Sequence, residues 1–447
     1  MKRVAIVGAD FAPSSMPPAL RIRFFASHLR EFGWQPIVIT TDPSQYETAL
    51  DPDMARLVPE SVEVIRTPAL PSRLTRLFGI GDLGMRSMWH HWRVLKQLCA
   101  DRRVDLVFIP VPPYAPMVLG RLAHERFGIP YVIDYIDPWA SEFYWKLPRS
   151  RRPPKWILAY ALARLLEPFA VRHAAHIVGV SKGTTDSVRA RYPRLGEDDA
   201  SEIPYGGETA DWEYIRGHRR SNSIFDAGDG LLHVCSVGAY TAAMRPVLAA
   251  LFRAVRLGVS REAEIFSRLR LHFVGTSYAG GSTAMPVSEI AREEGVADLV
   301  EERPQRVPYL DALQLLADAR GLLVVGSEER HYTASKIFPY ILAKKPLLVI
   351  FHSESSVVPI VTQTKAGSMV TFDGRAPLAT KAEEISQQLE AMLRLPEGYE
   401  PATDWQAFDA YTTRQMAGRL VDVFARALAK NTAQWERAPG KTRTVKV

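Results

Sequence analysis

The residues best suited to chemistry lie where a polar turn leads into a short helix. Ser335 and Lys336 stand at the start of a helix predicted over 336–344, and a strand led by Pro346 follows. The first N–H groups of a helix lack partners and carry partial positive charge, so they favour an anion. With a hydroxyl and an ammonium added, the pattern predicts a diphosphate site. It equally fits an ordinary helix-to-strand connection with a surface lysine.

Further polar groups follow predicted strands in the first half of the chain. Asp137 precedes Pro138, which disfavours helix at that point, and its carboxylate could orient or deprotonate an acceptor hydroxyl. A turn-forming aspartate is the alternative. Ser14 and Ser15 follow the first strand and fit either a phosphate contact or a plain turn.

Short apolar runs alternate with helical patterns along both halves, which predicts βαβ units and parallel sheets. Ligands of such sheets bind in the loops after the strands. Strands are expected at 4–7, 36–40, 62–65, 106–109, 131–134, 176–180, 231–235, 269–274, 299–301, 322–325, 347–351 and 369–371. Helices are expected at 19–32, 89–100, 117–127, 242–256, 288–294, 309–319, 336–344, 356–364 and, as one long amphipathic pattern, 405–428.

Length and composition limit the function classes. A chain of 447 residues predicts two or three domains, and two cysteines offer no disulfide or metal framework. The net charge of +7 suits a phosphorylated substrate, an anionic membrane or nucleic acid. Nucleic acid is the least favoured, since no nucleic-acid-binding module is visible. No transmembrane helix is expected, and the cysteine content favours a reducing compartment.

Several segments, taken in order, resemble one enzyme family. In the first half they are 11–21, 134–139 (Asp-Tyr-Ile-Asp-Pro-Trp), 177–183 and 203–207. In the second half they are 237–246, 273–275, 307–313 and 335–346. Together they resemble the GT-B glycosyltransferases of the retaining class typified by family 4.

The resemblance implies an α/β chain of two Rossmann-like domains facing across a cleft, with a C-terminal helix packing back toward the N-domain. The expected segments are an acceptor-side domain (1–212), a nucleotide-sugar-binding domain (213–400), a crossover helix (401–430) and a tail (431–447). The expected reaction moves a sugar from a nucleotide-diphosphate donor to an envelope glycan, lipid-linked or similar acceptor, with retention. Neither a metal nor another cofactor is expected.

The resemblance also assigns residues. Arg245 and Lys336 would stabilise the charge that grows on the departing diphosphate, and Asp137, on the N-domain side, would orient an acceptor hydroxyl or assist its deprotonation. Donor contacts are expected from Gly238, Tyr240, Arg245, Gly275, Val307, Thr333, Ser335 and Lys336. Acceptor contacts are expected from Ser14, Ser15, Arg21, Asp137 and Trp139.

The chain departs from the family at a pair of glutamates that normally contact the donor sugar and its ribose. Those positions hold His331 and Pro339. Glu328 and Glu329 lie nearby and are candidate substitutes. The departure supports an alternative function, a non-catalytic GT-B protein that binds a nucleotide or glycan. A nucleotide-sugar 2-epimerase is a third possibility, against which the segments around Asp137 and Lys336 argue.

Two basic, aromatic segments, 73–92 and 142–156, suit either an anionic bilayer surface or a solvated loop that docks the acceptor. We therefore expect a cytoplasmic protein capable of reversible, peripheral contact with the inner face of the membrane.

Overall fold

The chain folds into two compact units. The computed structural model describes residues 1–48, 50–140, 145, 152, 156–277, 286–330, 332 and 334–436. One unit comprises Met1–Tyr205 with Thr413–Val447, and the other comprises Gly206–Thr412. The chain thus passes between units twice, after Tyr205 and after Thr412.

The first unit is built on a seven-stranded parallel sheet in the order β3-β2-β1-β4-β5-β6-β7. Its central strands are apolar on both faces and fully buried, as expected for a parallel sheet covered on both sides. The strands are β1 (Lys2–Val7), β2 (Trp34–Thr41), β3 (Glu63–Thr67), β4 (Leu106–Val111), β5 (Tyr131–Tyr135), β6 (His176–Gly179) and β7 (Ala200–Glu202).

Helices cover both faces of this sheet. They are α1 (Pro17–His28), α2 (Asp53–Arg56), α3 (Ser72–Thr75), α4 (Leu83–Ala100), α5 (Met117–Phe127), α6 (Trp156–Val171) and α7 (Lys182–Arg191). Right-handed crossovers from β3 to β4, β4 to β5 and β5 to β6 place α4, α5 and α6 on one face. The crossover from β1 to β2 runs the other way and places α1 on the opposite face.

The second unit is built on a six-stranded parallel sheet in the order β10-β9-β8-β11-β12-β13. The strands are β8 (Leu232–Val237), β9 (Leu269–Val274), β10 (Val300–Arg303), β11 (Gly321–Val325), β12 (Leu347–His352) and β13 (Ser368–Phe372). The helices are α8 (Thr209–Gly217), α9 (Arg245–Arg261), α10 (Ala263–Phe266), α11 (Val287–Glu293), α12 (Tyr309–Asp318), α13 (Ile337–Leu342), α14 (Val357–Thr364), α15 (Ala382–Arg394) and α16 (Trp405–Asp409).

The last helix, α17 (Thr413–Glu436), belongs to the first unit and packs on α1. The ring of Phe424 lies 5.0 Å from that of Trp34 and 5.5 Å from that of Phe108. The C-terminal segment therefore completes the core of a unit whose sheet is formed by the first 205 residues.

The predicted amphipathic pattern at 405–428 is two helices rather than one. The break falls at 410–412, where the backbone N–H of Gly207 donates to the carbonyl oxygen of Tyr411 at 2.9 Å. Gly207 also forms a parallel bridge with Thr412. Backbone pairing with Gly207 therefore interrupts the helix. Across the described ranges, no helix is both long and apolar enough to cross a bilayer.

Candidate functional site

The second sheet has a switch point between β8 and β11. From β8 the chain continues outward to β9, whereas from β11 it continues in the opposite direction to β12. The loops after these two strands therefore diverge and leave a crevice at the carboxyl edge, which is where ligands of open α/β sheets bind. Gly238 and Tyr240 follow β8, and Glu328 follows β11.

The loop after β8 requires a glycine. Gly238 has φ +128°, a conformation that side-chain-bearing residues rarely adopt. Its N–H donates to the carbonyl oxygen of Val274 at 2.8 Å, and the N–H of Tyr240 donates to that of Thr276 at 3.0 Å. A Cβ at position 238 would lie 3.9 Å from Nζ of Lys336. The loop backbone is thus brought next to the lysine head group.

The Lys336 ammonium is a charged group in a buried position. Its Nζ is buried and has no hydrogen-bond partner in the part of the chain that the structure describes. It lies 4.7 Å above the ring centroid of Tyr240. Burial lowers the pKa of Lys336 from 10.5 to about 8. Among the described residues, the ammonium is thus compensated by an aromatic face and by no hydrogen bond, an arrangement that favours an anionic ligand.

Hydrogen bonds from two tyrosine hydroxyls hold the strands and the helix next to Lys336 in place. The hydroxyl of Tyr340 accepts from the Val237 N–H at 2.5 Å and donates to the Val237 carbonyl at 3.1 Å. The hydroxyls of Tyr240 and Ser236 are 2.6 Å apart, and Ser236 donates to the Leu323 carbonyl at 2.7 Å. These bonds tie β8, β11 and α13 together, so the position of Lys336 is defined before any ligand arrives.

The helix beside Lys336 does not supply the anion site that its sequence suggested. Helix α13 has six residues rather than the nine predicted, so its dipole is short. Ser335 is exposed, and its carbonyl oxygen accepts from the Phe338 N–H at 3.4 Å. The feature of this segment that suits an anion is therefore the buried ammonium of Lys336 rather than the helix N-terminus.

Arg245 has different surroundings from Lys336. It begins α9, and its side chain is 43% exposed. Its Nη2 contacts the two carboxylate oxygens of Glu293 at 2.5 and 2.7 Å. The structure therefore shows Arg245 in a solvent-exposed ion pair rather than beside the Lys336 ammonium.

The other residues expected to bind the donor are spread along the same edge of the sheet. Gly275 ends β9 with φ +72°, and its N–H donates to the Arg303 carbonyl at 2.7 Å. Val307 is half-buried in the loop after β10. Thr333 and His331 lie outside the described residues.

The glutamates proposed as substitutes are on the β11 loop. Glu328 and Glu329 are exposed. The N–H of Glu328 donates to the Ala243 carbonyl at 3.4 Å, which ties this loop to the one after β8. Pro339 lies in the first turn of α13 and offers no side-chain acceptor.

The first sheet has its own switch point, between β1 and β4. Ser14 lies in the loop after β1 and is fully buried. Its hydroxyl donates to the Asp10 carboxylate at 3.0 Å and accepts from the Met16 N–H at 3.2 Å. Burial raises the pKa of Asp10 to about 6. Sequence reasoning missed Asp10, although its place just after a buried strand was an available signal. Ser15 is half-buried beside Ser14.

Arg21 is a structural residue and does not present its charge to an acceptor. It is 1% exposed and forms a bidentate pair with Asp134 at 2.6 and 2.8 Å. It also donates to the carbonyl oxygens of Ile203 at 2.8 Å and Pro204 at 3.3 Å. The side chain thus joins α1, β5 and the segment after β7, with its donors engaged inside the unit.

Asp137 and Trp139 follow β5 at the carboxyl edge of the first sheet. Partial burial raises the pKa of Asp137, although the residue keeps solvent contact. Trp139 stacks on Tyr114 with ring centroids 5.2 Å apart and planes 6° from parallel. A carboxyl group and a flat aromatic surface are thus neighbours on one loop, a combination that suits a sugar hydroxyl and the apolar face of its ring.

One family model matches the first half of the chain. Residues 18–206 match the model of the glycosyl transferase 4-like domain. This part of the chain is therefore similar to that family. No curated protein sequence matches the chain.

Solved structures extend the comparison to the whole chain. The α,α-trehalose-phosphate synthase (UDP-forming) of Burkholderia vietnamiensis is 12% identical, with a TM-score of 0.59 over 96% of this chain and 100% of the other. The trehalose 6-phosphate synthase of Burkholderia multivorans is 14% identical, with a TM-score of 0.57 over 99% and 100%. HepE of Anabaena, solved with UDP-glucose, is 13% identical, with a TM-score of 0.53 over 98% and 100%.

These identities show a common fold and no more. The chain has the GT-B fold, with two parallel α/β units of seven and six strands. The match over residues 18–206 supports glycosyltransferase activity, and the structure confirms the GT-B fold predicted from the sequence.

Proposed function

We propose that this protein transfers a sugar from a nucleotide-diphosphate donor, whose diphosphate binds at the β8/β11 switch point. The observation that carries the proposal is the ammonium of Lys336, which is buried beside Gly238 and has no hydrogen-bond partner among the described residues. The solved structures with UDP and UDP-glucose support a nucleotide sugar as donor.

The chemical role of Lys336 follows from where charge develops. As the glycosidic bond breaks, the leaving diphosphate gains negative charge, and a fixed cation stabilises that state more than the ground state. Lys336 is already desolvated and fixed between the β8 loop and Tyr240, so little reorganisation is needed. Loss of one such donor typically costs about 3 to 4 kcal/mol of transition-state stabilisation. With a protein cation in this role, we propose a metal-independent reaction.

Arg245 would act as a second cation after leaving Glu293. Both side chains are more than 40% exposed, and exposed ion pairs contribute only about 0–1 kcal/mol. A diphosphate, with more charge than a carboxylate, can therefore compete for the guanidinium. In the free protein, the Arg245 guanidinium would stay paired with the Glu293 carboxylate.

Donor recognition beyond the diphosphate would use Glu328. Its backbone is tied to the β8 loop, and its carboxylate is exposed and able to accept from sugar or ribose hydroxyls. Gly275, Val307, Thr333 and Ser335 would complete the donor site.

The first unit would hold the acceptor. We propose that Asp137 orients or deprotonates an acceptor hydroxyl, because its raised pKa favours proton transfer. Trp139 would pack against the acceptor, and Ser14 and Ser15 would shape the loop after β1. An envelope glycan or a lipid-linked sugar is the acceptor class we propose, with retention at the transferred sugar.

One observation favours a second function, a non-catalytic protein that binds a nucleotide or glycan. Pro339 removes the side-chain acceptor that the family normally places in α13. Such a protein would use the Lys336 site for binding without turnover.

Calorimetric titration with UDP, GDP and ADP, followed by assays of sugar release from the matching nucleotide sugars, tests both. Lys336→Met keeps the length and apolar packing of the side chain and removes its charge. Lys344→Met is the matched control, since Lys344 also lies over an aromatic ring, that of Trp405, at 5.2 Å.

Binding that is lost in Lys336→Met and kept in Lys344→Met supports the donor site. Binding without release or transfer, with plausible acceptors present, favours the second function. Absence of binding for every nucleoside diphosphate contradicts both.

A further inference from the structure

The Asp10 carboxyl lies at the switch point of the first sheet. Asp10 follows β1, from which the chain continues to β2, whereas from the neighbouring β4 it continues the opposite way to β5. Loops that diverge in this way form the usual ligand crevice of an open α/β sheet. Asp10 is half-buried there, and no lysine, arginine or histidine among the described residues forms an ion pair with it. A largely buried carboxyl without a cation is uncommon outside functional sites.

The Ser14 hydroxyl fixes the orientation of this carboxyl. It accepts from the Met16 N–H at 3.2 Å, so its own proton is available for Oδ2 of Asp10 at 3.0 Å. Ser14 is fully buried, and its N–H donates to the Phe11 carbonyl oxygen at 3.0 Å. The carboxyl therefore has a defined position before a substrate binds, which a group that reacts with a hydroxyl needs.

Two neighbours act on the Asp10 carboxyl in opposite directions. Burial raises the pKa of Asp10 to about 6, while the Ser14 hydrogen bond opposes this rise and the negative charge of Asp82 adds to it. Asp82 is the N-cap of α4, and its Oδ1 accepts from the Met85 N–H at 2.9 Å. The influence of each neighbour can therefore be removed separately.

The other ionisable groups along this loop are engaged elsewhere. The Tyr46 hydroxyl donates to the Thr41 carbonyl oxygen at 2.9 Å. The Arg66 guanidinium donates to the Ala12 carbonyl oxygen at 2.9 Å. Neither group hydrogen-bonds to the Asp10 carboxyl, which can therefore take a proton from a bound ligand.

Asp137 is less suited to accept a proton. It follows β5, one strand beyond β4 from the switch point, and it is exposed. A general base is most effective when its pKa lies near the working pH, and Asp10 comes close to this condition. Asp137 and Trp139, which is stacked on Tyr114, remain suited to orienting an acceptor.

We propose that Asp10 accepts the proton of the attacking hydroxyl group and that Asp137 orients the acceptor. The hydroxyl proton passes to the Asp10 carboxylate while the acceptor oxygen bonds to the anomeric carbon of the sugar. The bond from that carbon to the diphosphate oxygen breaks, and its electron pair leaves with the diphosphate. The proton balance is the same for approach from either face of the sugar. The inference rests on the sugar transfer proposed above and adds a catalytic residue to it.

The test follows hydrolysis of UDP-glucose, in which water is the acceptor, between about pH 4.5 and 8. Because the base must be ionised, kcat/KM should fall about tenfold per pH unit below about pH 6. Asp10→Asn keeps an acceptor atom for Ser14 and should leave the UDP affinity in calorimetric titration unchanged. It should lower kcat/KM at least about a hundredfold and abolish this acidic decline.

Two neighbouring substitutions should move the acidic decline in opposite directions. Ser14→Ala removes the hydrogen bond that lowers the pKa of Asp10, so the decline should begin at higher pH. Asp82→Asn removes the nearby negative charge, so the decline should begin at lower pH, and Asn still caps α4. Asp137→Asn is the matched control, which should slow hydrolysis without moving the decline. Thermal melts check that each variant is folded.

Azide as acceptor separates proton transfer from a structural role. It is already an anion and needs no base, so Asp10→Asn should transfer glucose to azide at nearly the rate of the parent protein. An acidic decline that survives in Asp10→Asn, disappears in Asp137→Asn, or fails to move in both neighbouring variants overturns the inference. So does loss of azide transfer together with hydrolysis, or UDP binding by the parent without either reaction. Absence of UDP binding by the parent contradicts the donor site itself.

Discussion

Replacing Lys336 by Met should raise the stability of the folded protein and weaken its binding of a nucleoside diphosphate. The ammonium is buried and lacks a hydrogen-bond partner among the described residues. Displacement of its pKa from 10.5 to about 8 corresponds to roughly 3 kcal/mol of destabilisation of the folded protein at neutral pH. Met fills similar space without a charge, so the free energy of unfolding should rise by up to about 3 kcal/mol.

The pH dependence of this gain has a definite sign. The folded-state pKa lies below the unfolded one, so between about pH 8 and 10.5 the unfolded chain binds more protons. The penalty carried by Lys336 is therefore complete below pH 8 and disappears as the pH rises toward 10.5. The stability advantage of Lys336→Met should be largest at pH 7 and vanish near pH 10.5.

Nucleotide binding, unlike stability, should be weakened by Lys336→Met. A hydrogen bond to a charged group contributes about 1.5–3 kcal/mol, so the variant should bind a nucleoside diphosphate roughly tenfold to a hundredfold more weakly. Urea unfolding at neutral and alkaline pH and calorimetric titration with UDP measure the two effects. A variant that is less stable than the parent at pH 7, yet binds UDP unchanged, would refute the reasoning.

Four further substitutions test other parts of the structure. Asp134→Asn breaks the buried pair with Arg21 and should lower the free energy of unfolding by about 3–5 kcal/mol; an unchanged urea midpoint would contradict the structural role of Arg21. Glu293→Gln should release Arg245 and tighten UDP binding severalfold, whereas Arg245→Gln should weaken it; if neither affinity moves in titrations, Arg245 is not a phosphate ligand. Gly238→Ala forces a Cβ into the positive-φ region at a cost of about 1–3 kcal/mol, so thermal unfolding should occur at lower temperature, and an unchanged melting temperature would argue against the loop geometry.

Most of the fold was predictable because parallel strands are apolar on both faces and therefore visible as continuous runs. Strand β7 was not predicted, since its three residues, Ala200–Glu202, form a short edge strand with no apolar run. The break between α16 and α17 was not predicted from the sequence either. It depends on backbone pairing with Gly207, some 200 residues earlier, which leaves no local signal.

The sequence indicated candidate residues on the loops after the strands, but it did not show the contacts that these residues make. Lys336 was expected near a diphosphate, but its burial against Tyr240 is a tertiary property that spacing does not show. Arg21 was expected at the acceptor, and its actual partner, Asp134, lies 113 positions away. Likewise, the ion pair of Arg245 with Glu293 follows from the packing of α9 and α11 and has no sequence signature.

The return of the chain into its first unit sets an order of assembly during synthesis. Residues 206–412 are contiguous, so that unit can fold as soon as it leaves the ribosome. The other unit must wait for Phe424 to arrive before Trp34 and Phe108 are covered. A nascent chain stalled before α17 would leave those rings exposed, so the core of the N-terminal unit is completed only once α17 has been synthesised.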